Sequence, residues 1–392
     1  MVFSVIDSPQ HEEQSDFNSS SDHLPKHIDD ARETEICAHT TVLRGKCLVC
    51  HEKMGKAYGM AFRYINEDLW LSYDEIARLR ELESKRLLRE KKLVLVLDLD
   101  HTLLQTTSLQ KYLEKHQELL QRSPKGTLFF LKEMRAITKL RPFVKSFLKE
   151  ASTMFEIYIY TMGTRYYARR MAKFLDPENV YFKSRIIARE DCLQEEEKTL
   201  EVVLKPESMV LILDDSEHVW KKHQSNLIRV RRYLYFDLED EKSIVSLSAL
   251  NTDERQTTGI LATILKTLKM IHRLFFLPEP NACLAQKDVR SILERRMILH
   301  GCNIFFGPHI FPSDLDPGNW RLWLIAEELG AVCSGELSSS VTHVVTNDAG
   351  TEECRQAKKE KKFLVHPSWL QASSDKLHRQ PEENFPIDIP PE

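Results

Sequence analysis

The chain predicts an α/β protein with a parallel sheet, followed by a second, smaller α/β domain. Two observations predict the sheet. Short apolar runs rich in Val, Leu and Ile end in chemically active residues: Leu93–Leu97 runs into Asp98, and Met209–Leu213 into Asp214 and Asp215. Runs this short and this continuously apolar read as strands buried on both faces, and open α/β sheets bind ligands at the carboxyl ends of such strands. A third observation predicts the second domain, where strand, Gly-closed helix, strand and strand-helix patterns follow one another from Leu299 to Leu370.

Residues 1–36 carry nine acids and two bases in a Ser-, Asp- and His-rich stretch, a composition that predicts a disordered acidic tail. Residues 37–87 hold a Cys/His segment and then a Gly- and Pro-free amphipathic pattern from Tyr73 to Leu88, read as a linker helix packed on the sheet. Cys37 and His39, then Cys47 and Cys50, supply three thiols and one imidazole, enough to close a tetrahedral Zn²⁺ site around a Cys-x-x-Cys knuckle. The plainer reading is a set of reduced cysteines packed against the next domain.

The Leu93–Leu97 strand opens a domain expected over 88–275. Residues 105–138 are longer than a simple connection and predict a flap over the sheet's carboxyl edge, shaping access for substrate. Phe155–Tyr160 is a β-rich run ending in the hydroxyl of Thr161. Lys198 precedes a Leu200, Val203, Leu204 pattern read as helical, which leads into the Asp214 strand. A linker is expected over 276–294, the second domain over 295–386 and a tail over 387–392.

Residues i and i+2 at a strand end point the same way, so Asp98 and Asp100 converge, and their repulsion calls for a cation or a shared proton. Turn aspartates also follow strands commonly. The preceding apolar run, Thr102, and a second acidic pair more than a hundred residues away weigh against that reading.

Asp98-Leu99-Asp100-His101-Thr102, Thr161, Lys198 and Asp214-Asp215 together resemble the four ordered motifs of the haloacid-dehalogenase-like phosphatases. Lys139-Leu140-Arg141-Pro142-Phe143, Tyr160-Thr161-Met162-Gly163 and Leu213-Asp214-Asp215-Ser216-Glu217-His218-Val219-Trp220 resemble more closely the TFIIF-interacting phosphatases of the RNA polymerase II C-terminal domain, of the plant C-terminal-domain phosphatase-like type. The region 295–386 resembles a BRCT domain. The resemblance implies a haloacid-dehalogenase-like Rossmannoid sheet with a flap. It implies an Mg²⁺-dependent phosphoserine phosphatase, with Mn²⁺ as a substitute, acting on the phosphorylated polymerase tail in the nucleus, with TFIIF as a candidate partner.

By that resemblance Asp98 is the nucleophile and Asp100 the general acid and base. Asp98, the Asp100 carbonyl and Asp215 hold the metal, with Asp214 behind them. Thr161 and Lys198 bind the phosphoryl group. Arg141 either reaches the substrate phosphate or pairs with an acid. Ser216 stands where the family resemblance would expect Arg, which leaves fine substrate preference open. The alternatives are a phosphatase of another phosphoprotein and an adaptor that binds phosphopeptide with little turnover. In the BRCT-like region, Phe306 and Gly307 occupy the place where some BRCT domains carry a phosphate-binding hydroxyl, so a protein-docking surface is expected there. Lys358-Lys359-Glu360-Lys361-Lys362 reads either as a nuclear localisation signal or as a basic helix face.

Composition agrees. The 392 residues are 42% hydrophobic and 29% charged, with a net charge of −4 that disfavours a general nucleic-acid binder. Residues 139–189 nevertheless carry eleven Lys and Arg against four acids, which suits a polyanionic peptide. No run of about 18 apolar residues occurs, so no membrane span is expected. The eight cysteines form no small disulfide framework and no apolar signal core opens the chain, which together predict a reducing compartment.

Overall fold

The computed structural model describes residues 37–54, 59–110, 112, 127–237, 246–250, 252–277, 286–307, 310, 321–376 and 378–387. The expected acidic tail, the Gln121–Gly126 stretch of the insertion, residues 278–285 of the linker and the chain end from 388 lie outside them. Residues 1–38 and 39–392 form two units. In the first, Cys37 is half-buried and Ala38 exposed.

The second unit opens with a small antiparallel sheet of β1 (Thr41–Leu43), β2 (Lys46–Cys47), β3 (Met60–Ala61) and β4 (Leu69–Leu71) in the order β2-β1-β4-β3. The expected helix follows, over Tyr73–Glu90. Ser72 caps it by accepting the Glu75 N–H at 3.2 Å, and Lys91 ends it at φ 50°. Arg86 and Lys205 share the carboxylates of Glu83 and Glu156, tying this helix to the sheet.

The central sheet contains β5 (Leu93–Leu97), β9 (Phe155–Tyr160), β10 (Ile186–Ile187), β11 (Val210–Asp214) and β12 (Leu227–Arg229). Its order is β10-β9-β5-β11-β12 and every pairing is parallel. All five residues of β5 and all five of β11 are buried, as two-sided coverage requires. Leu97 lies opposite Ile159 on one side and Leu213 on the other. This register brings Asp98, Thr161 and Asp214 to one edge of the sheet. The helices Val144–Met154, Arg165–Leu175 and Ile260–Phe276 contribute their apolar faces to the same core.

The insertion contains a second antiparallel sheet, β6 (Leu104–Ser108), β7 (Leu128–Leu131) and β8 (Ala136–Leu140), ordered β6-β8-β7. The helical pattern after Lys198 forms only a 3₁₀ turn at Leu200–Val202. Arg80 donates to the carbonyls of Leu200, Glu201 and Val203, which a longer helix would have used itself. Pro206 then prevents continuation.

The second domain has its own parallel sheet, β14-β13-β15-β16, from β13 (Asn303–Phe306), β14 (Val332–Ser334), β15 (His343–Val345) and β16 (Phe363–Val365). The helices Arg321–Glu328, Glu352–Lys359 and Ser368–Asp375 accompany it. The strand expected from Leu299 begins only at Asn303, because residues 299–301 turn and Gly301 takes φ 84°. Its core is separate from that of the central sheet and centres on Trp369, Ile304, Phe306 and Leu329. No helix among the described residues is long and apolar enough to cross a membrane.

Candidate active site

Parallel pairing ends at Asp98, whose N–H donates to the Leu213 carbonyl at 3.0 Å, so the first catalytic candidate is anchored to the strand that carries Asp214. Lys198 lies between them. Its Nζ donates to Asp98 Oδ1 and to Asp214 Oδ2, each at 2.7 Å. All three side chains are buried. The loop that delivers Lys198 is held by its own N–H on the Val219 carbonyl at 2.8 Å and by the Arg80 contacts just beyond it.

Electrostatics follow from burial. Desolvation pushes the Asp98 carboxyl well above the usual carboxylate range, although Lys198 pulls it back. Burial alone would lower the Lys198 ammonium, but the two carboxylates raise it, so it stays charged. Desolvation likewise raises Asp100 and Asp215, with the neighbouring Asp214 charge adding to the rise at Asp215.

Asp214 is fully engaged by protein groups. Oδ2 also accepts the Trp220 indole N–H at 2.8 Å, and Oδ1 accepts the Ser216 N–H at 2.9 Å. Asp98, Asp214 and Asp215 each bring a carboxylate oxygen within 4.8 Å of the others. Such a set of hard oxygen donors fits a small divalent cation. Asp215 also lies 3.0 Å from Arg232.

Asp100 points elsewhere. Its Oδ1 accepts the Tyr167 hydroxyl at 2.5 Å, and that hydroxyl also meets Thr106 of the flap sheet at 2.7 Å. Thr161 is buried, and its Oγ1 accepts the Gly163 N–H at 3.0 Å. Since that oxygen acts as acceptor, its own O–H is available to donate. Gly163 is needed for this close turn, because a Cβ there would come within 2.7 Å of the Tyr167 ring and 3.3 Å of Thr161 Oγ1.

Of the two readings of Arg141, the structure favours the pairing one and departs from a reach to the substrate phosphate. The guanidinium has no solvent exposure. It makes two bonds to Glu254, at 3.0 and 2.7 Å, and donates to the carbonyls of Thr102 and Arg231, each at 2.9 Å. It also lies over the Tyr233 ring. Arg141 therefore fastens the loop after Asp98 to two distant segments.

Tyr167, Trp220, Arg232 and Glu254 are site residues that sequence reasoning missed. Tyr167 lies in the stretch 139–189, which the sequence marks only by its basic excess. Trp220 closes the Leu213–Trp220 motif, whose resemblance assigns the indole no role.

In the Cys/His segment, the donor atoms of His39, Cys47 and Cys50 lie within 4.8 Å of one another, with Cys50 Sγ 3.4 Å from His39 Nδ1. Cys37 belongs to the preceding unit.

The family model described as NLI interacting factor-like phosphatase matches residues 93–257, and that of the BRCA1 C Terminus (BRCT) domain matches residues 294–374. RNA polymerase II C-terminal domain phosphatase-like 4 of Arabidopsis thaliana is 47% identical over 378 residues, which cover 93% of this chain and 85% of the relative. The chain belongs to the RNA polymerase II C-terminal domain phosphatase-like family. It is a protein phosphatase with a carboxyl-terminal BRCT domain. RNA polymerase II C-terminal domain phosphatase-like 3 of the same plant is 39% identical over 347 residues, 81% of this chain but 28% of that longer protein. Among solved structures, that described as Fcp1, an essential RNA polymerase II CTD phosphatase, is 25% identical, with a TM-score of 0.46 over 79% of this chain and all of the other.

Proposed function

We propose that this protein is an Mg²⁺-dependent serine phosphatase of the heptad-repeat C-terminal domain of RNA polymerase II, acting in the nucleus through an aspartyl-phosphate intermediate. The observation that carries the chemistry is the Lys198 ammonium held at 2.7 Å from both Asp98 and Asp214 at the ends of adjacent strands. The substrate follows from the names of the relatives. TFIIF enters as a partner through the resemblance to TFIIF-interacting phosphatases.

With Asp98 Oδ1 fixed by Lys198, Oδ2 is the oxygen that attacks phosphorus. A P–O bond forms to Asp98 and the bond to the serine oxygen breaks. Asp100, whose carboxyl burial keeps protonated to higher pH, gives its proton to the departing serine oxygen. It then takes a proton from the water that cleaves the acyl phosphate, restoring Asp98 and releasing inorganic phosphate. Thr161 donates its hydroxyl to a phosphoryl oxygen and Lys198 balances the charge of the group.

Three carboxylates within 4.8 Å face the two cations Lys198 and Arg232, which leaves a negative excess that suits a dication. Asp98, Asp215 and the Asp100 carbonyl would hold Mg²⁺, with Asp214 behind. Bound there, the ion would neutralise these acids and draw charge from the phosphoryl oxygens.

The test is hydrolysis of singly phosphorylated heptad peptides with and without Mg²⁺, beside a non-polymerase phosphoserine peptide and the Asp98→Asn protein. Metal-dependent release of phosphate from heptad peptides, absent in the variant, is expected. Equal rates on unrelated peptides would remove the substrate assignment, and an active Asp98→Asn protein would remove the covalent mechanism.

A further inference from the structure

The Cys/His segment takes no part in the phosphatase chemistry, yet its geometry is that of a built site. The turn from Cys47 to Cys50 closes on itself: the His51 N–H donates to the Cys47 carbonyl and the Cys47 N–H to the Glu52 carbonyl, both at 3.0 Å. Arg44, Gly45 and His51 flank the two cysteines at φ 51°, 70° and 62°, and His39 itself sits at φ 46°. Left-handed conformations at three non-glycine residues cost free energy and persist where the surroundings over-determine them.

Hydrogen bonding around the donors points the same way. The Val49 N–H is directed at Cys47 Sγ at 3.4 Å, the arrangement that stabilises a thiolate. His39 presents Nδ1 to Cys50 Sγ at 3.4 Å and Nε2 to the Glu52 carboxylate at 3.5 Å. An imidazole with one nitrogen toward the ligand cluster and the other on a carboxylate is the arrangement of a metal-bound histidine and its supporting acid.

We propose that His39, Cys47 and Cys50 hold a structural Zn²⁺ ion as three of its four tetrahedral ligands. A Zn–S bond of about 2.3 Å places tetrahedral donors roughly 3.8 Å apart, so donors already within 4.8 Å need only small side-chain adjustments. Soft thiolates select this ion over Mg²⁺, which prefers oxygen. Thiolate-rich donor sets on a Cys-x-x-Cys knuckle are those of structural zinc, and this one stands outside the phosphatase chemistry, so the role is structural. The knuckle terminates the β1–β4 sheet, whose Met60 and Leu71, with Phe62 just after β3, enter the main core. From that sheet's edge Arg63 donates to the Glu190 carbonyl, in the segment that leads toward Lys198.

Full-length protein, dialysed against Mg²⁺ without zinc, is expected to retain about one Zn²⁺ per chain by elemental analysis. The Cys47→Ser, Cys50→Ser double variant is expected to retain about none. Replacement by Co²⁺ should give the intense visible bands and sulfur charge-transfer absorption of a tetrahedral thiolate site. The Co²⁺ spectrum is read on wild-type protein, so poor folding of the double variant leaves the test intact. Three results would overturn the proposal: folded wild-type protein without zinc whose Co²⁺ spectrum is only that of an octahedral oxygen site, zinc retained by the double variant, or a Cys47–Cys50 disulfide in protein purified under reducing conditions. None of these readouts uses phosphate hydrolysis, so they stand whether or not the phosphatase reading does.

Discussion

One hydroxyl decides where Asp100 points. The Tyr167 hydroxyl bonds Oδ1 at 2.5 Å and continues through Thr106 to Thr138, so Asp100, the proposed general acid, is linked to the flap sheet. Tyr167→Phe keeps the ring and removes the donor. Since that hydrogen bond favours the charged carboxylate, its loss moves the Asp100 limb of the pH–rate profile upward. The kcat should fall about 10- to 100-fold, part of the ~10²–10⁴ that positioned acid–base groups contribute, while KM changes little. An unmoved pH limb would show that Tyr167 serves packing alone. A second residue-scale prediction concerns Asp215 and Arg232, 3.0 Å apart. A cation at the carboxylates must compete with this guanidinium. Asp215→Asn should therefore raise the Mg²⁺ concentration for half-maximal rate, and Arg232→Gln should lower it. Identical metal titrations for wild type and both variants would place the ion elsewhere.

At the scale of elements, the loop Asp253–Glu254 acts as a clamp. Glu254 holds Arg141 by two bonds, while Asp253 pairs with Lys139 at 3.0 Å and accepts the Tyr233 hydroxyl at 2.9 Å. Glu254→Ala leaves a buried guanidinium without its counter-charge, which should cost about 3 kcal/mol. Urea unfolding measures this, and a loss below about 1 kcal/mol, the worth of an exposed pair, would show that the charge finds other partners. Arg141 also donates to the Thr102 carbonyl, so kcat should fall with stability. This clamp illustrates which parts of the molecule were legible in the chain. β5 and β11 were legible because burial on both faces forces an unbroken apolar run, and their terminal acids needed only the strand register to converge. The partners of Arg141 and Asp100 were not, since Glu254 lies 113 residues from Arg141 and Tyr167 lies 67 residues from Asp100. No local pattern announces such a pair. The Leu200 pattern misled because the carbonyls it would have paired internally are taken by Arg80, 121 residues away at Glu201.

For the whole molecule, the question is how far catalysis depends on the BRCT domain. Its core is distinct from that of the catalytic domain, and the proposed catalytic carboxylates all precede Ser216. The junction is close but largely polar. Arg273 pairs with Glu327 at 2.8 Å and Arg295 with Glu328 at 2.6 Å, while Arg296 donates to the Glu327 carbonyl at 3.2 Å. Exposed ion pairs of this kind contribute ~0–1 kcal/mol each, so their loss should not unfold the catalytic core. Gly330, at φ 93°, meets the Arg296 carbonyl so closely that an added Cβ would lie 1.7 Å from its oxygen. The Val289–Arg295 helix belongs on the catalytic side, because Val289 is buried in the main core. A clean truncation therefore removes residues 297–392. Turnover of p-nitrophenyl phosphate by that fragment should be largely unchanged. Action on the long phosphorylated polymerase tail should weaken by up to about 10²-fold, the lower end of what a second tethered contact contributes to avidity. The two substrates share the same chemistry at phosphorus and differ in reach, so their ratio isolates docking from catalysis. A folded fragment equally fast on both would leave the BRCT domain no part in substrate engagement, and one slowed equally on both would show that the Glu327 and Gly330 contacts support the catalytic core itself.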